Sequence, residues 1–277
     1  TEGIITYVGK NRPVIPEGYK ILDAEGRVVL PGFIDSHTHL VFGGYRPEEF
    51  IWRMKGDSYM SIMERGGGII NTVRSTREAS FETLKEKAEW YIEVMSRMGV
   101  TTVEGKSGYG LDKETELKQL EVMKAINENP NRKVDIATTF LGAHAVPTEY
   151  KGKEDDYIDF LIKEMLPLIQ EKRLAEHCDI FCEKGVFTVE QSRRLLQAAK
   201  DKGFGVKIHA DEIVSFGGAE LAGELQALSA DHLLHASDAG IQAMADNHVV
   251  ATLLPLTAFT LREPYARGRE MIDRGCA

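Results

Sequence analysis

The stretch from residue 28 to residue 44, VVLPGFIDSHTHLVFGG, limits the possible folds more than any other part of the chain. Its apolar and β-branched residues at 28–34 predict a buried strand, and His37 and His39 follow before the Gly43-Gly44 turn. In an extended strand, side chains at i and i+2 leave the same face, with Cα atoms about 6.5 to 7 Å apart. Two imidazoles at that separation can bind one metal ion, although a His-x-His triplet alone is more often a structural pair at a strand edge.

A regular alternation of helical and strand-like segments follows this stretch. Further strands are predicted at 100–105, 134–141, 179–182, 204–209, 228–231 and 249–254. Helices are predicted at 46–65, 80–98, 113–127, 155–172, 189–202, 217–225, 238–246 and 265–274. Strands that alternate with helices of this length indicate an α/β fold with a parallel sheet and right-handed crossovers, so we expect an eightfold TIM-type barrel.

Both ends of the chain bear on this barrel. The strand at residue 28 begins a series of seven, and Gly275-Cys276-Ala277 stands where an eighth strand would start. A barrel without that strand has two unpaired edges, so we expect a C-terminally truncated chain, with barrel strands 1 to 7 in residues 28–277. Short strands predicted at 3–8 and 20–22 cannot form a stable unit by themselves, so residues 1–27 are expected to be half of a small sheet.

Composition narrows the class of partner. The 277 residues have a formal net charge of -9, no stripe of Lys and Arg, and no apolar run near the roughly 20 residues that a bilayer helix needs. We therefore expect a small-molecule substrate in the cytoplasm, with neither nucleic acid nor a membrane as partner. Cys178, Cys182 and Cys276 form no C-x-x-C pair and predict reduced, buried thiols rather than a disulfide framework.

Five of the eight histidines fall at or just after the carboxyl ends of predicted strands: His37, His39, His144, His209 and His232. Barrel enzymes build their active sites on this face, so the clustering predicts one shared site. A catalytic zinc site uses about three protein ligands and water. His37, His39 and His209 would supply the three ligands, and a carboxylate from an eighth strand would be a fourth.

Longer motifs give a family resemblance. The run PGFIDSHTHL, with His209 on the fifth strand, resembles the metal-dependent amidohydrolase superfamily. HTHLVFGG-x-R, GGGI-x-x-TV-x-x-TR at 66–77, KSGYGL, GAHA-x-P and KIHADE together resemble the imidazolonepropionase family within it. The resemblance implies a distorted (β/α)8 barrel with a small β-sandwich assembled from both chain ends, of which residues 1–27 would be a part.

The resemblance also implies an activity and its residues. The activity is metal-dependent hydrolysis of the ring amide of 4-imidazolone-5-propanoate to N-formimidoyl-L-glutamate in histidine degradation, with one divalent ion, zinc or iron. A homodimer is one possible assembly, since the sequence does not give the oligomeric state. The implied residues are the metal ligands His37, His39 and His209, the pair Glu212 and His232 that acts on the water at the metal, and the substrate contacts Arg46, Tyr109, His144 and Glu212.

Several of these roles have ordinary alternatives. Arg46 follows a Gly-Gly turn and offers a planar fork of donors to a carboxylate, whereas a solvated arginine is the commoner case. Glu212 lies three residues after His209, where it could act as general base and acid, or could instead be a carboxylate near the helix that starts at Gly217.

Neighbouring charged residues are expected to support the site. Asp211 and Asp231 are predicted to fix imidazole tautomers, as carboxylates beside metal-bound histidines do. Lys106 is predicted to form a local ion pair with Glu104 on the same strand face. Two other functions stay open from the sequence: another mononuclear amidohydrolase or deaminase of a cyclic substrate, and a truncated barrel without catalysis.

Overall fold

The computed structural model describes residues 4–11, 14–57, 61–62 and 65–277. The chain divides into two units, residues 1–31 and residues 32–277. In the first unit, the described residues form neither a strand nor a helix, so the predicted strands at 3–8 and 20–22 are not formed there; residue 3 lies outside the described residues. Short strands need pairing partners, and these segments pair with no strand in the described part of the chain.

The second unit contains one sheet of seven parallel strands in chain order. The strands are β1 (Phe33–Thr38), β2 (Val100–Lys106), β3 (Asp135–Ala143), β4 (His177–Cys182), β5 (Gly205–Ala210), β6 (Ser229–His232) and β7 (Val250–Thr252). With helices between successive strands, this is a TIM-type barrel without an eighth strand among the described residues. The predicted fold class is confirmed.

Helices connect the strands. They are α1 (Pro47–Met54), α2 (Ile69–Glu78), α3 (Phe81–Arg97), α4 (Lys113–Asn127), α5 (Glu154–Phe160), α6 (Leu166–Lys172), α7 (Val189–Asp201), α8 (Gly218–Leu225), α9 (Asp238–Asp246), α10 (Pro255–Leu261) and α11 (Gly268–Asp273). A π-helical turn, Leu161–Met165, joins α5 to α6. Pro167 has no N–H to donate to the preceding turn, which explains the wider turn at that point. None of the described helices is long and apolar enough to cross a bilayer.

Some predicted boundaries are wrong. β1 starts at Phe33 rather than residue 28, after the Pro31-Gly32 pair, and it includes His37. The helix predicted at 46–65 ends at Met54, because Gly56 adopts a φ of 102° that favours a helix stop. Residues 58–60 and 63–64 of the predicted helix lie outside the described residues. Helices α2 and α10 were not predicted, since both are short segments inside connections.

The core lies between the sheet and the helices. Fully buried apolar side chains come from both layers, including Leu120 and Met123 of α4, Phe140 of β3 and Ile180 of β4. The cysteines at 178, 182 and 276 are buried and free, as expected. The buried layer fixes the strand ends, and the strand ends hold the site.

Candidate active site

A cavity of about 730 Å³ opens at the carboxyl ends of the strands. All eight residues predicted for the site line it: His37, His39, Arg46, Tyr109, His144, His209, Glu212 and His232. Barrel strands end together on one face, which is why residues far apart in sequence meet here. Residues that the sequence did not single out, among them Arg53 and Phe181, complete the wall.

The three histidines proposed as ligands are neighbours. The ring centres of His37 and His39 are 5.5 Å apart, and those of His37 and His209 are 4.7 Å apart. His39 lies 5.8 Å from His209 by the same measure. β1 and the residue directly after it therefore deliver two imidazoles, and β5 a third, to the same part of the cavity.

Potential ligand atoms form three overlapping groups, each with its atoms within 4.8 Å of one another: His37, His209 and His232; His39, His144 and His209; Asp179, His209 and Asp231. His209 belongs to all three groups. The predicted set of His37, His39 and His209 draws on the first two groups rather than forming a group of its own. His209 is thus the residue that these three groups, found among the described residues, have in common.

Several of these imidazoles have buried nitrogens without a hydrogen-bond partner among the described residues. They are Nδ1 of His39, both ring nitrogens of His209, and Nδ1 of His232. Buried polar groups are normally paired, so these unpaired ring nitrogens beside the cavity indicate a ligand site. Burial lowers the pKa of His39, His209 and His232, with neighbouring imidazoles adding to the effect. These rings are therefore neutral near pH 7, the form that binds metals.

His144 lies against this cluster. Its ring stacks on His39 at 4.5 Å between centres, and its Nδ1 is 3.0 Å from the carbonyl oxygen of Gly108. Burial lowers the pKa of His144 to about 4, so the neutral ring donates its Nδ1–H to that carbonyl. The contact fixes the ring orientation at the wall of the cavity.

Glu212 also lines the cavity, and its Oε1 lies 3.4 Å from Nδ1 of His232. Burial raises the pKa of Glu212 to about 7, and the charge of Glu183 adds to this, while Arg53 opposes it. A carboxyl group with this pKa can accept or donate a proton near neutral pH. The alternative for Glu212 was a carboxylate near the start of the following helix, and Asp211 has that position instead.

Asp211 is the carboxylate at the start of α8, and its predicted function in fixing an imidazole tautomer is wrong. Its two carboxylate oxygens accept the backbone N–H groups of residues 216–219, at 2.7 to 3.3 Å. These groups lie at the start of α8, where backbone donors are unsatisfied and a carboxylate is favoured. The sequence signal was the pair Gly217-Gly218 shortly after an aspartate.

Asp231 does contact an imidazole. Its Oδ2 accepts the Nδ1–H of His37 at 2.6 Å, and its Oδ1 accepts the hydroxyl of Ser229 at 2.8 Å. Burial alone would raise the pKa of Asp231, but Lys106 and His37 together lower it well below its usual value. The ionised carboxylate leaves Nε2 of His37 to face the cavity.

Lys106 is fully buried beneath the histidines. Its predicted ion pair with Glu104 is confirmed at 2.9 Å. Two partners were not predicted: Asp179 at 2.7 Å and Asp231 at 3.1 Å. Burial would lower the pKa of Lys106, but the charges of these three carboxylates raise it instead, so the ammonium stays protonated.

Arg46 shares a buried partner with a second arginine. Oε2 of Glu49 lies 3.3 Å from Arg46 and 3.9 Å from Arg53, and its Oε1 accepts the N–H of Gly68 at 2.7 Å. Nε of Arg53 is buried without a partner among the described residues. Two guanidinium groups therefore line the same side of the cavity.

The loop that presents Tyr109 is held by the start of α4. Glu116 accepts the N–H groups of Gly108, Gly110 and Leu111 at 2.8 to 3.1 Å. Gln119 accepts that of Tyr109 at 3.2 Å. Neither support was predicted from the sequence.

The chain is similar in sequence to known proteins. A model described as "Amidohydrolase family" matches residues 20–65. A protein of Phocaeicola vulgatus named imidazolonepropionase is 79% identical over 278 residues, and one of Bacteroides thetaiotaomicron with the same name is 68% identical over 281. Each match covers 100% of this chain and 67% of the relative.

Solved structures show the same fold at low identity. A 5-methylcytosine deaminase from Klebsiella pneumoniae has a TM-score of 0.68 at 15% identity, covering 94% of this chain and 66% of that one. A guanine deaminase from C. acetobutylicum has a TM-score of 0.65 at 14% identity, covering 95% of this chain and 64% of that one. At such identities the likeness is to the barrel and not to a substrate.

Proposed function

Because the chain belongs to the imidazolonepropionase family, we propose that it hydrolyses the ring amide of 4-imidazolone-5-propanoate to N-formimidoyl-L-glutamate, a step of histidine degradation. The structural observation behind the proposal is that one cavity is lined by all the residues that the resemblance implies. The reaction adds water across a cyclic amide, so it needs a cation, a proton acceptor and a site for the propionate.

The family implies a divalent metal ion, and the donor set fits one. Neutral, buried imidazoles with unpaired nitrogens converge at the mouth of the barrel. We assign His37, His39 and His209 as the ligands, with His209 common to every group of potential ligand atoms. Imidazole suits both zinc and iron, and either ion would polarise the ring carbonyl and make hydroxide available near pH 7.

Glu212 is the proton carrier in this proposal. It takes a proton from the attacking water and returns it to the ring nitrogen as the C–N bond breaks. Its pKa of about 7 lets it act in both directions. His232 lies 3.4 Å from this carboxyl group and can donate to the oxyanion that develops on the former carbonyl.

The substrate's propionate is assigned to Arg46. A guanidinium group can bind a carboxylate with two parallel hydrogen bonds, and Glu49 holds this one at the cavity wall. Tyr109 and His144 lie on the same side as His39, with rings 5.1 and 4.5 Å from it. They would pack against the five-membered ring and hold it near the histidines.

The surroundings of the enzyme follow from the same reasoning. A formal charge of -9 without a basic stripe disfavours nucleic acid, and the proposed substrate is a cytoplasmic metabolite, so we place the enzyme in the cytoplasm. The homodimer stays a prediction, which the mass in solution would test.

The test is a turnover assay of the purified protein loaded with zinc or iron. We expect consumption of 4-imidazolone-5-propanoate with formation of N-formimidoyl-L-glutamate, both followed by chromatography. An analogue without the propionate is the matched control and should react far more slowly. Metal-bound protein that leaves the substrate intact would refute the proposal, and ammonia released from cyclic amidines would favour a deaminase instead.

A further inference from the structure

A single ammonium group lies at the centre of the buried layer beneath the histidines. Nζ of Lys106 contacts one oxygen of each of three carboxylates: Glu104 at 2.9 Å, Asp179 at 2.7 Å and Asp231 at 3.1 Å. Glu104 and Asp179 accept hydrogen bonds from this ammonium, and Asp231 forms an ion pair with it. Lys106 does not line the cavity, so its contacts are with this layer and not with a substrate.

Two of those oxygens also face metal-site imidazoles. Oδ2 of Asp231 accepts the Nδ1–H of His37 at 2.6 Å. Oδ2 of Asp179 lies 2.9 Å from Nδ1 of His209, an ion-pair contact at hydrogen-bond distance whose angle does not meet that of a hydrogen bond. The same two atoms therefore contact Lys106 on one side and an imidazole on the other.

This arrangement sets which nitrogen of each ring carries the proton. A carboxylate held at Nδ1 keeps the proton there and leaves Nε2 free as a ligand atom. Without the ammonium between them, Asp179 and Asp231 would repel each other in a buried, low-dielectric layer and would turn away from these positions. The orientation of both rings then depends on one side chain.

We propose that Lys106 is a positioning residue of the metal site: it holds Asp179 and Asp231 so that His37 and His209 present Nε2 to the cation. The inference rests on the proposed function only in taking these histidines as ligands. It assigns Lys106, on β2, to a layer that links strands β2, β4 and β6 beneath the site.

The test compares Lys106→Met with a matched control, Lys207→Met. Lys207 belongs to the same buried layer and pairs with Glu104 at 2.7 Å, but the described contacts give it no carboxylate that faces an imidazole. The probe is Zn²⁺, with its dissociation constant measured by competition with a chelator. We expect Lys106→Met to weaken zinc binding by about 10- to 100-fold and Lys207→Met to change it less than about twofold.

Two further measurements separate positioning from stability. Long-range ¹H–¹⁵N NMR of the metal-free protein should show Nδ1–H tautomers for His37 and His209, and Lys106→Met should lose them. In a background with Asp179→Asn and Asp231→Asn, replacing Lys106 should have less than about a twofold effect on zinc binding, because its partners are gone.

Unchanged zinc affinity and tautomers in a folded Lys106→Met variant would overturn the proposal. If that variant does not fold, the tautomers are measured in the unsubstituted protein alone. An Nε2–H tautomer at His37 or His209 in the metal-free state would also overturn the proposal. Zinc affinity and tautomers are independent of turnover. A protein that fails to hydrolyse 4-imidazolone-5-propanoate therefore refutes the proposed function and leaves this inference to its own measurements.

Discussion

The ionisable groups at the mouth of the barrel and those in the layer directly beneath it differ in whether they have polar partners. At the mouth, ring nitrogens of His39, His209 and His232 are buried without partners among the described residues. One layer down, Lys106 is surrounded by three carboxylates. A buried polar group without a partner costs free energy, so the mouth is arranged to bind a ligand. The layer beneath it holds the side chains of the mouth in position.

The two layers differ by a single step along the same strands. Side chains two residues apart face the same side of a strand, so Lys207 and His209 of β5 both point inward, about 6.6 Å apart. Ser229 and Asp231 of β6 follow the same rule, and His232, the last residue of β6, leaves the extended conformation with a φ of 76°. The layer of paired charges and the mouth with its unpaired ring nitrogens are thus only two or three residues apart along a strand.

Removing the centre of the mouth should have the largest effect. His209 belongs to every group of potential ligand atoms, so His209→Ala should weaken zinc binding by more than about 100-fold and abolish turnover. The measurement is metal content after dialysis together with the turnover assay. His235→Ala is the control, since His235 is a histidine outside these groups and should leave both unchanged. Retained zinc in His209→Ala would place the cation elsewhere.

Glu212→Gln should separate activity from stability. Loss of the proton carrier should lower kcat by about 100- to 10,000-fold, measured at pH 7. Substitution should at the same time stabilise the metal-free protein at high pH, because a buried, ionised carboxylate is replaced by a neutral amide. Parent and variant that differ neither in kcat nor in unfolding would remove Glu212 from the mechanism.

The sign of the stability effect follows from the pKa. Burial raises the pKa of Glu212 from 4.5 to about 7, so the folded state binds this proton more tightly than the unfolded state. The resulting stability is fully present below about pH 4.5 and is lost as the pH rises through 7. Glu212→Gln should therefore exceed the parent by up to about 3 kcal/mol in free energy of unfolding at pH 8, and match it at pH 4.5.

The sequence predicted the mouth better than the layer beneath it. Periodicity gave the order of strands and helices, and the histidines could be placed because each lies at a strand end, a local property. The start of β1 was wrong by five residues because apolar content does not show where pairing begins. Helices α2 and α10 lie in connections and have only 10 and 7 residues, fewer than the roughly 11 to 18 over which helical periodicity is read.

The partners of Lys106 could not be predicted in the same way. Lys106 lies on β2, whereas Asp179 lies on β4 and Asp231 on β6, so their contacts cross the barrel interior between strands that are not neighbours. Such contacts depend on the stagger of the strands, which one sequence does not contain. The pair with Glu104 was predictable because i and i+2 share a strand face.

Substitution of Arg46, which lines the cavity, should have a smaller effect on turnover. Arg46→Ala removes a charged hydrogen-bond donor worth about 1.5 to 3 kcal/mol, so kcat/KM should fall by about 10- to 100-fold, mainly through KM. Arg74→Ala is the control, an exposed arginine of α2 that should have no effect. An equal loss on the analogue without a propionate would show that Arg46 does not bind that carboxylate.

The smallest effect is expected outside both layers. Thr188 caps α7 through a reciprocal pair of hydrogen bonds with Gln191, at 3.2 and 2.9 Å. Thr188→Ala should cost about 1 kcal/mol and lower Tm by about 2 to 4 °C, while Thr188→Ser keeps the hydroxyl and should be near neutral. α7 packs on β4 and β5, the strands of Asp179 and His209. If zinc affinity also falls in Thr188→Ala, the helical layer positions the site too; if it is unchanged, the ionic layer is sufficient to hold the histidines in place.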